Sequence, residues 1–112
     1  MDVFEDQSSI YIVTEFIQGS SLIKIVQAAK SEQIVKLMAV QLFEGLAYLQ
    51  DMGVVHRDIK HENIMSSVCE ESDEVTLKFI DFGFAKVMYQ EEYADEMFGT
   101  LAYCSPEILL GL

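Results

Sequence analysis

The most regular feature of the sequence is an apolar pattern between Ser31 and Met52. Apolar side chains recur there at intervals of three and four residues, at Ile34, Val35, Met38, Leu42, Leu46 and Leu49. Such spacing places them on one face of an α-helix. Ser31 is suited to cap the first turn, and Gly53 is suited to end the last one. The pattern therefore predicts a helix from Ser31 to about Met52.

Shorter apolar segments precede this helix. Ile10–Val13 is β-branched and aromatic, which predicts a buried strand. Residues 3–4 are then the end of a partner strand, and residues 6–9 form the turn between the two. The Gly19-Ser20-Ser21 segment interrupts the pattern and offers a cap for a short helix over residues 22–29.

The second half of the chain alternates short apolar and polar segments. Residues 54–55, 64–65 and 75–80 are predicted to be strands, and residues 70–74 a charged turn. Residues 84–99 have no clear period, which predicts a loop. Pro106 is predicted to begin a short helix, since proline suits the first helical turn. No repeat and no second domain is evident.

Composition narrows the classes of partner. The 112 residues are 51% hydrophobic, enough for a core, and carry 19 acidic against 7 basic side chains, a formal net charge of -12. This charge argues against nucleic acid or an anionic membrane surface as a partner. It is compatible with basic partners, although a solvated acidic surface is the simpler interpretation.

The cysteines and the apolar runs indicate the compartment. Cys69 and Cys104 are far apart and lack metal-ligand spacing, which favours two free thiols. No apolar run reaches the roughly 18–20 residues of a membrane span, and the first residues lack the pattern of a signal peptide. We therefore expect an intracellular protein, cytoplasmic or nuclear.

Two motifs carry chemistry. Residues 56–63 read His-Arg-Asp-Ile-Lys-His-Glu-Asn, and residues 81–83 read Asp-Phe-Gly. Each alone is weak, because an isolated carboxylate is more often a surface charge. Together, in this order and with Ser-Pro-Glu at residues 105–107, they resemble the catalytic motifs of protein kinases. The serine/threonine type is indicated by Lys60 and by Thr100 in Gly-Thr-Leu-Ala-Tyr.

The resemblance implies a role for each motif residue. Phosphoryl transfer needs aligned reactants, charge neutralisation and a proton acceptor. By resemblance, Asp58 is the catalytic base, Lys60 contacts the transferred phosphate, and Asn63 and Asp81 hold Mg²⁺. His56 and Phe82 are expected to be structural and to stack on each other. The implied cofactors are ATP and Mg²⁺.

The N-terminal segment resembles the strand and hinge that hold adenine in this family. Thr14 corresponds to the gatekeeper beside the base, and the backbone of Glu15 and Ile17 would meet its polar edge. Ser21 would lie near the ribose, and Met65 would form an apolar floor. Taken alone, this segment is equally explained as an ordinary strand and turn.

The implied fold is α+β and kinase-like but partial. Residues 1–19 would form small-lobe strands and the hinge, and residues 20–112 the first half of the mainly helical large lobe. Within the family, Val-Phe-Glu-Asp at residues 3–6 and Lys-Phe-Ile-Asp-Phe-Gly at residues 78–83 are most similar to the calcium/calmodulin-dependent group.

Regulation and substrate choice are suggested by charged residues. In such kinases, the arginine matching Arg57 pairs with an activation-loop phosphate, but no serine or threonine lies between Gly83 and Gly99. We hypothesise that the Glu96 carboxylate replaces this phosphate; a merely acidic loop is the alternative. Glu62 matches a position that contacts a basic residue of the substrate, so a protein substrate with basic flanking residues is expected.

Two departures from the family pattern bear on activity. The chain contains no Gly-x-Gly phosphate loop and no Val-Ala-x-Lys strand. We therefore expect the isolated chain to be weakly active or inactive. In the family, large buried helices that support the catalytic loop would follow the position of Leu112, so we also expect the apolar face of the long helix to be partly uncovered. The alternative function is a non-catalytic, truncated kinase that acts as an interaction or decoy module.

Overall fold

An antiparallel hairpin begins the chain. The computed structural model describes residues 1–29, 31–68, 75–89 and 98–111, with Val68 described by its backbone alone. Strands β1 (Asp2–Glu5) and β2 (Ile10–Val13) pair from Asp2↔Val13 to Glu5↔Ile10. The Asp6 carboxylate closes the turn by accepting hydrogen bonds from the Ser8 and Ser9 amides at 2.8 and 2.9 Å. The predicted strand pair and turn are confirmed.

The prediction that Ile10–Val13 is buried is wrong. All four of its residues are exposed, with Ile12 at 71%. The hairpin forms a two-stranded sheet of its own, which no other described strand joins. A strand face becomes buried only where another layer packs on it. Apolar composition predicted the strand correctly but not the presence of that layer.

Helices follow the short strand β3 (Gly19–Ser21). Helix α1 spans Leu22–Ala28, and helix α2 spans Glu32–Asp51. Ser31 caps α2, because its hydroxyl oxygen accepts a hydrogen bond from the Ile34 amide at 3.4 Å. Gly53 follows the helix with a φ of 65°, a conformation that glycine adopts without strain. Both predicted helices, and the ends of the longer one, are confirmed.

A three-stranded antiparallel sheet lies against α2. Its order is β3-β5-β6, with β5 at Ile64–Val68 and β6 at Val75–Phe79. Met38 of α2 and Ile64 of β5 are buried apolar residues. The first turn of α2 is uncovered, since Ile34 and Val35 are 39% and 40% exposed. The apolar face of the helix is therefore partly uncovered, as expected.

The prediction that residues 84–99 form a loop is corrected at residues 86–87, and its residues 90–97 lie outside the described residues. Strand β7 (Lys86–Val87) pairs with β4 (Val54–Val55) in antiparallel register. Two residues are too few to show a period, so the partner strand decides this pairing. Helix α3 spans Pro106–Leu110 and begins at proline, as predicted.

The predicted charged turn at residues 70–74 lies outside the described residues. Within the described ranges, no helix is long and apolar enough to cross a membrane.

Candidate active site

His56 connects the loop of residues 56–63 to the end of β6. Its side chain is 3% exposed, and its Nδ1 atom accepts a hydrogen bond from the Asp58 amide at 3.3 Å. The other ring nitrogen, Nε2, therefore carries the proton and donates to the Ile80 carbonyl at 3.0 Å. The ring packs on Phe82 with centroids 4.7 Å apart, which confirms the expected stacking. One imidazole side chain thus links the two motifs.

Arg57 and Gly99 bring a distant segment against this loop. Arg57 has a φ of 66°, and its guanidinium lies 4.1 Å from the centre of the Phe98 ring while its Nε donates to the Phe84 carbonyl. Gly99 has a φ of 102°, and a Cβ there would lie 2.5 Å from the Arg57 carbonyl oxygen. Only glycine permits this approach, which delivers Thr100 to the loop.

Asp58 lies at the centre of the site and is 5% exposed. Its Oδ1 accepts from the Thr100 amide at 3.0 Å and from the Thr100 hydroxyl at 2.8 Å. Its Oδ2 lies 2.8 Å from Lys60 Nζ and accepts from Asn63 Nδ2 at 2.9 Å. The hydrogen bond from Lys60, followed by that from Thr100, lowers the pKa of Asp58 to about 2. The carboxylate is therefore ionised at neutral pH.

Lys60 completes a closed triangle with Asp58 and Thr100. Its ammonium also donates to the Thr100 hydroxyl at 2.9 Å, so that hydroxyl receives one hydrogen bond and donates another. The hydrogen bond to Asp58 raises the pKa of Lys60, and the charges of Asp58, Glu62 and Asp81 act in the same direction. Three predicted site residues thus meet in a single ionised network.

Asn63 and Asp81 present oxygen atoms beside this network. Both hydrogen bonds of Asn63 Nδ2 go to Asp58, to its carbonyl oxygen and its Oδ2, each at 2.9 Å. Within the described parts of the chain, Asn63 Oδ1 accepts no hydrogen bond. The Ile80 amide donates a hydrogen bond to the Asn63 carbonyl at 2.9 Å. Asp81 is the residue after Ile80, so this hydrogen bond keeps the backbone of Asp81 close to that of Asn63. Asp81, with a φ of 59°, is exposed and accepts from the Gly83 amide.

The oxygen donors of Asn63 and Asp81 suit a metal ion that prefers oxygen ligands. Across the described residues, no group of three or more His, Cys, Asp and Glu side chains could hold a metal ion. Mg²⁺ requires fewer protein ligands, since it is bound by one or two oxygen ligands together with substrate phosphates and water. Asn63 Oδ1 and the Asp81 carboxylate fit that requirement.

The residues predicted to hold adenine and ribose lie near the three-stranded sheet. Ser21 and Met65 are paired residues of β3 and β5, and Met65 is in turn paired with Lys78 of β6. Glu15 forms an ion pair with Lys78, which ties the segment after β2 to the same face of the sheet. A groove of about 430 Å³ runs between this segment and the sheet, and Glu15 and Ile17 line it.

Two other predicted residues have different outcomes. Thr14 is exposed directly after β2. Glu96 lies outside the described residues, so its pairing with Arg57 stays a prediction.

Gln41 is not among the predicted site residues, yet its side chain hydrogen-bonds the backbone of β6. The available signal was a polar residue on the apolar face of α2, three positions after Met38.

Comparisons with known proteins agree with one another. The family profile described as "Protein kinase domain" matches residues 1–111. The chain is 37% identical over 110 residues to the serine/threonine-protein kinase RAD53 of Saccharomyces cerevisiae, covering 96% of this chain and 13% of that protein. It is 39% identical over 111 residues to CDPK-related kinase 7 of Arabidopsis thaliana, covering 96% and 19%.

A third relative belongs to the group indicated by the sequence motifs. The chain is 35% identical over 112 residues to the calcium/calmodulin-dependent protein kinase type IV of Mus musculus, covering 98% of this chain and 24% of that protein. The chain therefore spans less than a quarter of the length of these three relatives.

Proposed function

Because this chain belongs to the protein kinase family, we propose that it carries the catalytic loop of a serine/threonine kinase, which transfers the γ-phosphate of ATP to a protein hydroxyl. The observation that carries the proposal is the environment of Asp58. A carboxylate with four hydrogen-bond contacts and a pKa of about 2 stays ionised and fixed in direction. Such a group can orient a hydroxyl for in-line attack.

The contacts of Asp58 also suggest how a substrate hydroxyl enters. A carboxylate offers about four lone-pair positions, and two donors already contact each oxygen of Asp58. An incoming hydroxyl must therefore replace one of these donors. Thr100 and Asn63 are short and held by several contacts, whereas Lys60 has a flexible stem with three rotatable donors. We infer that Lys60 turns from Asp58 towards the transferred phosphate when the substrate binds.

Nucleotide and metal are assigned to the remaining predicted residues. Asn63 Oδ1 and the Asp81 carboxylate would hold Mg²⁺, which would supply positive charge to neutralise the phosphates. The backbone of Glu15 and Ile17 would meet the adenine edge, beside Thr14. Ser21 would lie near the ribose, and Met65 would support the base from below. The pairing of Ser21 with Met65 across two strands supports this arrangement.

Binding of Mg²⁺ and ATP by the chain tests the proposal directly. Calorimetric titration should show ATP binding that is stronger with Mg²⁺ than without it, and Asp81→Asn should remove the difference. Asp51→Asn at the exposed end of α2 is the matched control, since it removes the same charge away from the site. Loss of the Mg²⁺ effect in both variants, or in neither, would contradict the assignment of Asp81.

A kinase assay on the full-length protein tests catalysis itself. Asp58→Asn should lower kcat for phosphorylation of a basic peptide by about 10²–10⁴, the usual contribution of a positioned acid–base group. The acidic side chain of Glu62, 55% exposed, is available to contact a basic substrate residue. Glu62→Gln should therefore raise KM for a basic peptide more than it lowers kcat. An unchanged kcat in Asp58→Asn would overturn the proposed reaction.

Regulation by Glu96 is part of the same proposal. If its carboxylate replaces an activation-loop phosphate at Arg57, Glu96→Gln should lower activity. A carboxylate carries less charge than a phosphate, so the effect should be smaller than the loss of a phosphate in relatives. Glu92→Gln in the same acidic segment is the control. Equal activity of the two variants would favour a merely acidic loop.

A non-catalytic role is the second candidate, and the exposed hairpin favours it. Val3, Phe4 and Ile12 are each more than half exposed, as is Phe16 at 90%. Apolar surface of this kind is suited to binding another polypeptide. If the chain binds no ATP at millimolar concentration in the presence of Mg²⁺, the interaction role becomes the leading explanation.

A further inference from the structure

Strand β6 is an edge strand, and one side chain of α2 covers its open edge. The sheet order β3-β5-β6 leaves the outer edge of β6 without a neighbouring strand among the described residues. Gln41 Nε2 donates to the Val75 carbonyl at 2.8 Å. Gln41 Oε1 accepts from the Leu77 amide at 2.9 Å. Both hydrogen bonds are partly buried. The side chain amide therefore satisfies two backbone groups that no described strand pairs with.

The geometry of a strand explains why glutamine fits here. The carbonyl of one residue and the amide of the residue two positions later point to the same side of a strand. A primary amide offers a donor and an acceptor side by side, so it can pair with both at once. The orientation of the Gln41 amide follows from its partners, because a backbone carbonyl only accepts and a backbone N–H only donates. Gln41 thus acts as a one-residue substitute for a neighbouring strand.

The end of β6 connects this contact to the metal-binding motif. Phe79, the last residue of β6, packs its ring against Gly45, where a Cβ would lie 2.7 Å from the ring. Gly45 is one helical turn after Gln41, so two successive turns of α2 hold β6. Ile80 is then bonded through its amide to Asn63 and through its carbonyl to His56. Asp81 comes next, with few degrees of freedom left to its backbone.

We propose that Gln41 is a positioning residue for the metal site: by holding β6 on α2, its amide sets where Asp81 stands relative to Asn63. It does so without contacting nucleotide or metal. The metal part of this inference rests on the proposed function, whereas the placement of β6 and of the Asp81 segment does not.

Hydrogen exchange measures the placement directly and needs no ligand. Gln41→Leu removes both hydrogen bonds, and the Leu77 amide should then exchange roughly five- to tenfold faster, as expected for the loss of one hydrogen bond. The Gly83 amide, which donates to Asp81, should change its chemical shift. Gln33→Leu, at an exposed position in the first turn of α2, is the control and should change neither. An unchanged Leu77 exchange rate, or an unmoved Gly83 resonance, in Gln41→Leu would overturn the inference.

Gln41→Glu provides a second variant of nearly the same shape, which also serves should the leucine variant fail to fold. At neutral pH its carboxylate still accepts from the Leu77 amide but can no longer donate to the Val75 carbonyl. Leu77 should therefore keep its slow exchange, while the Gly83 resonance moves in the direction seen for leucine. Fast exchange of the Leu77 amide in Gln41→Glu would overturn the inference, because this variant retains the side-chain oxygen that accepts the hydrogen bond from Leu77.

Titration of Mg²⁺ at fixed ATP tests the effect on the metal site. Gln41→Leu should raise the Mg²⁺ concentration for half-saturation about tenfold, in the range seen when residues behind metal ligands are replaced. ATP affinity without Mg²⁺ should stay the same, whereas a merely structural role would weaken both equally and overturn the inference. If the unmodified chain shows no Mg²⁺-dependent binding, the proposed function fails, and the exchange experiment still decides the role of Gln41.

Discussion

Replacing Gly99 by alanine tests how the distant segment of the site is held. A Cβ at this position would lie 2.5 Å from the Arg57 carbonyl oxygen, at a φ of 102°. Positive φ costs a residue with a Cβ about 1–2 kcal/mol, and displacing the packed backbone costs about 1–3 kcal/mol more. We expect Gly99→Ala to lower the free energy of unfolding by about 3 kcal/mol.

Gly111 offers a matched control for this substitution. It also has a positive φ, 67°, but a Cβ there would meet no atom within 4 Å. Gly111→Ala should therefore cost only the backbone preference, about 1 kcal/mol. Comparing the two variants separates the close contact with Arg57 from the conformational preference of glycine.

Equilibrium unfolding in urea measures both variants. At a slope of about 1.5 kcal/mol per molar urea, the midpoint should fall by about 2 M for Gly99→Ala and by less than about 1 M for Gly111→Ala. The Thr100 amide, which donates to Asp58 at 3.0 Å, should shift its proton resonance in the first variant only. Equal midpoints for the two variants, with an unmoved Thr100 resonance, would refute the reasoning.

Three further predictions concern charge and capping. The pKa of Asp58 in the folded state is about 2, below its ordinary value of 3.8, so this carboxylate stabilises the fold above pH 4 and loses that effect between about pH 4 and pH 2. Asp58→Asn should therefore flatten this part of an acid-unfolding curve, and an unchanged curve would contradict the lowered pKa. Ser31→Ala removes the cap on the Ile34 amide and should cost about 0.5–1 kcal/mol, measured as a lower thermal midpoint. The exposed pair of Glu15 and Lys78 should couple by less than about 1 kcal/mol in a double-mutant cycle and less still in high salt; a larger, salt-independent value would be inconsistent with its exposure.

The sequence determined those features that arise within one stretch of chain. The apolar spacing predicted α2, and Ser31 and Gly53 marked its ends, because capping and left-handed glycine are local effects. The two motifs likewise indicated Asp58 and Asp81 as candidate active-site residues, because the order and spacing of the motifs are visible in the sequence alone. The family assignment, which the comparisons confirm, depended on these local signals.

The tertiary structure decided which of those residues meet and what surrounds them. Thr100 reaches Asp58 across 42 residues, β7 pairs with β4 through only two residues, and the first hairpin is left exposed. Gln41 acquires its role only because β6 lies at the edge of its sheet, beside α2. Each outcome depends on a partner distant in sequence, and hydrogen bonding and burial are properties of such pairs. A pattern along one segment cannot specify them.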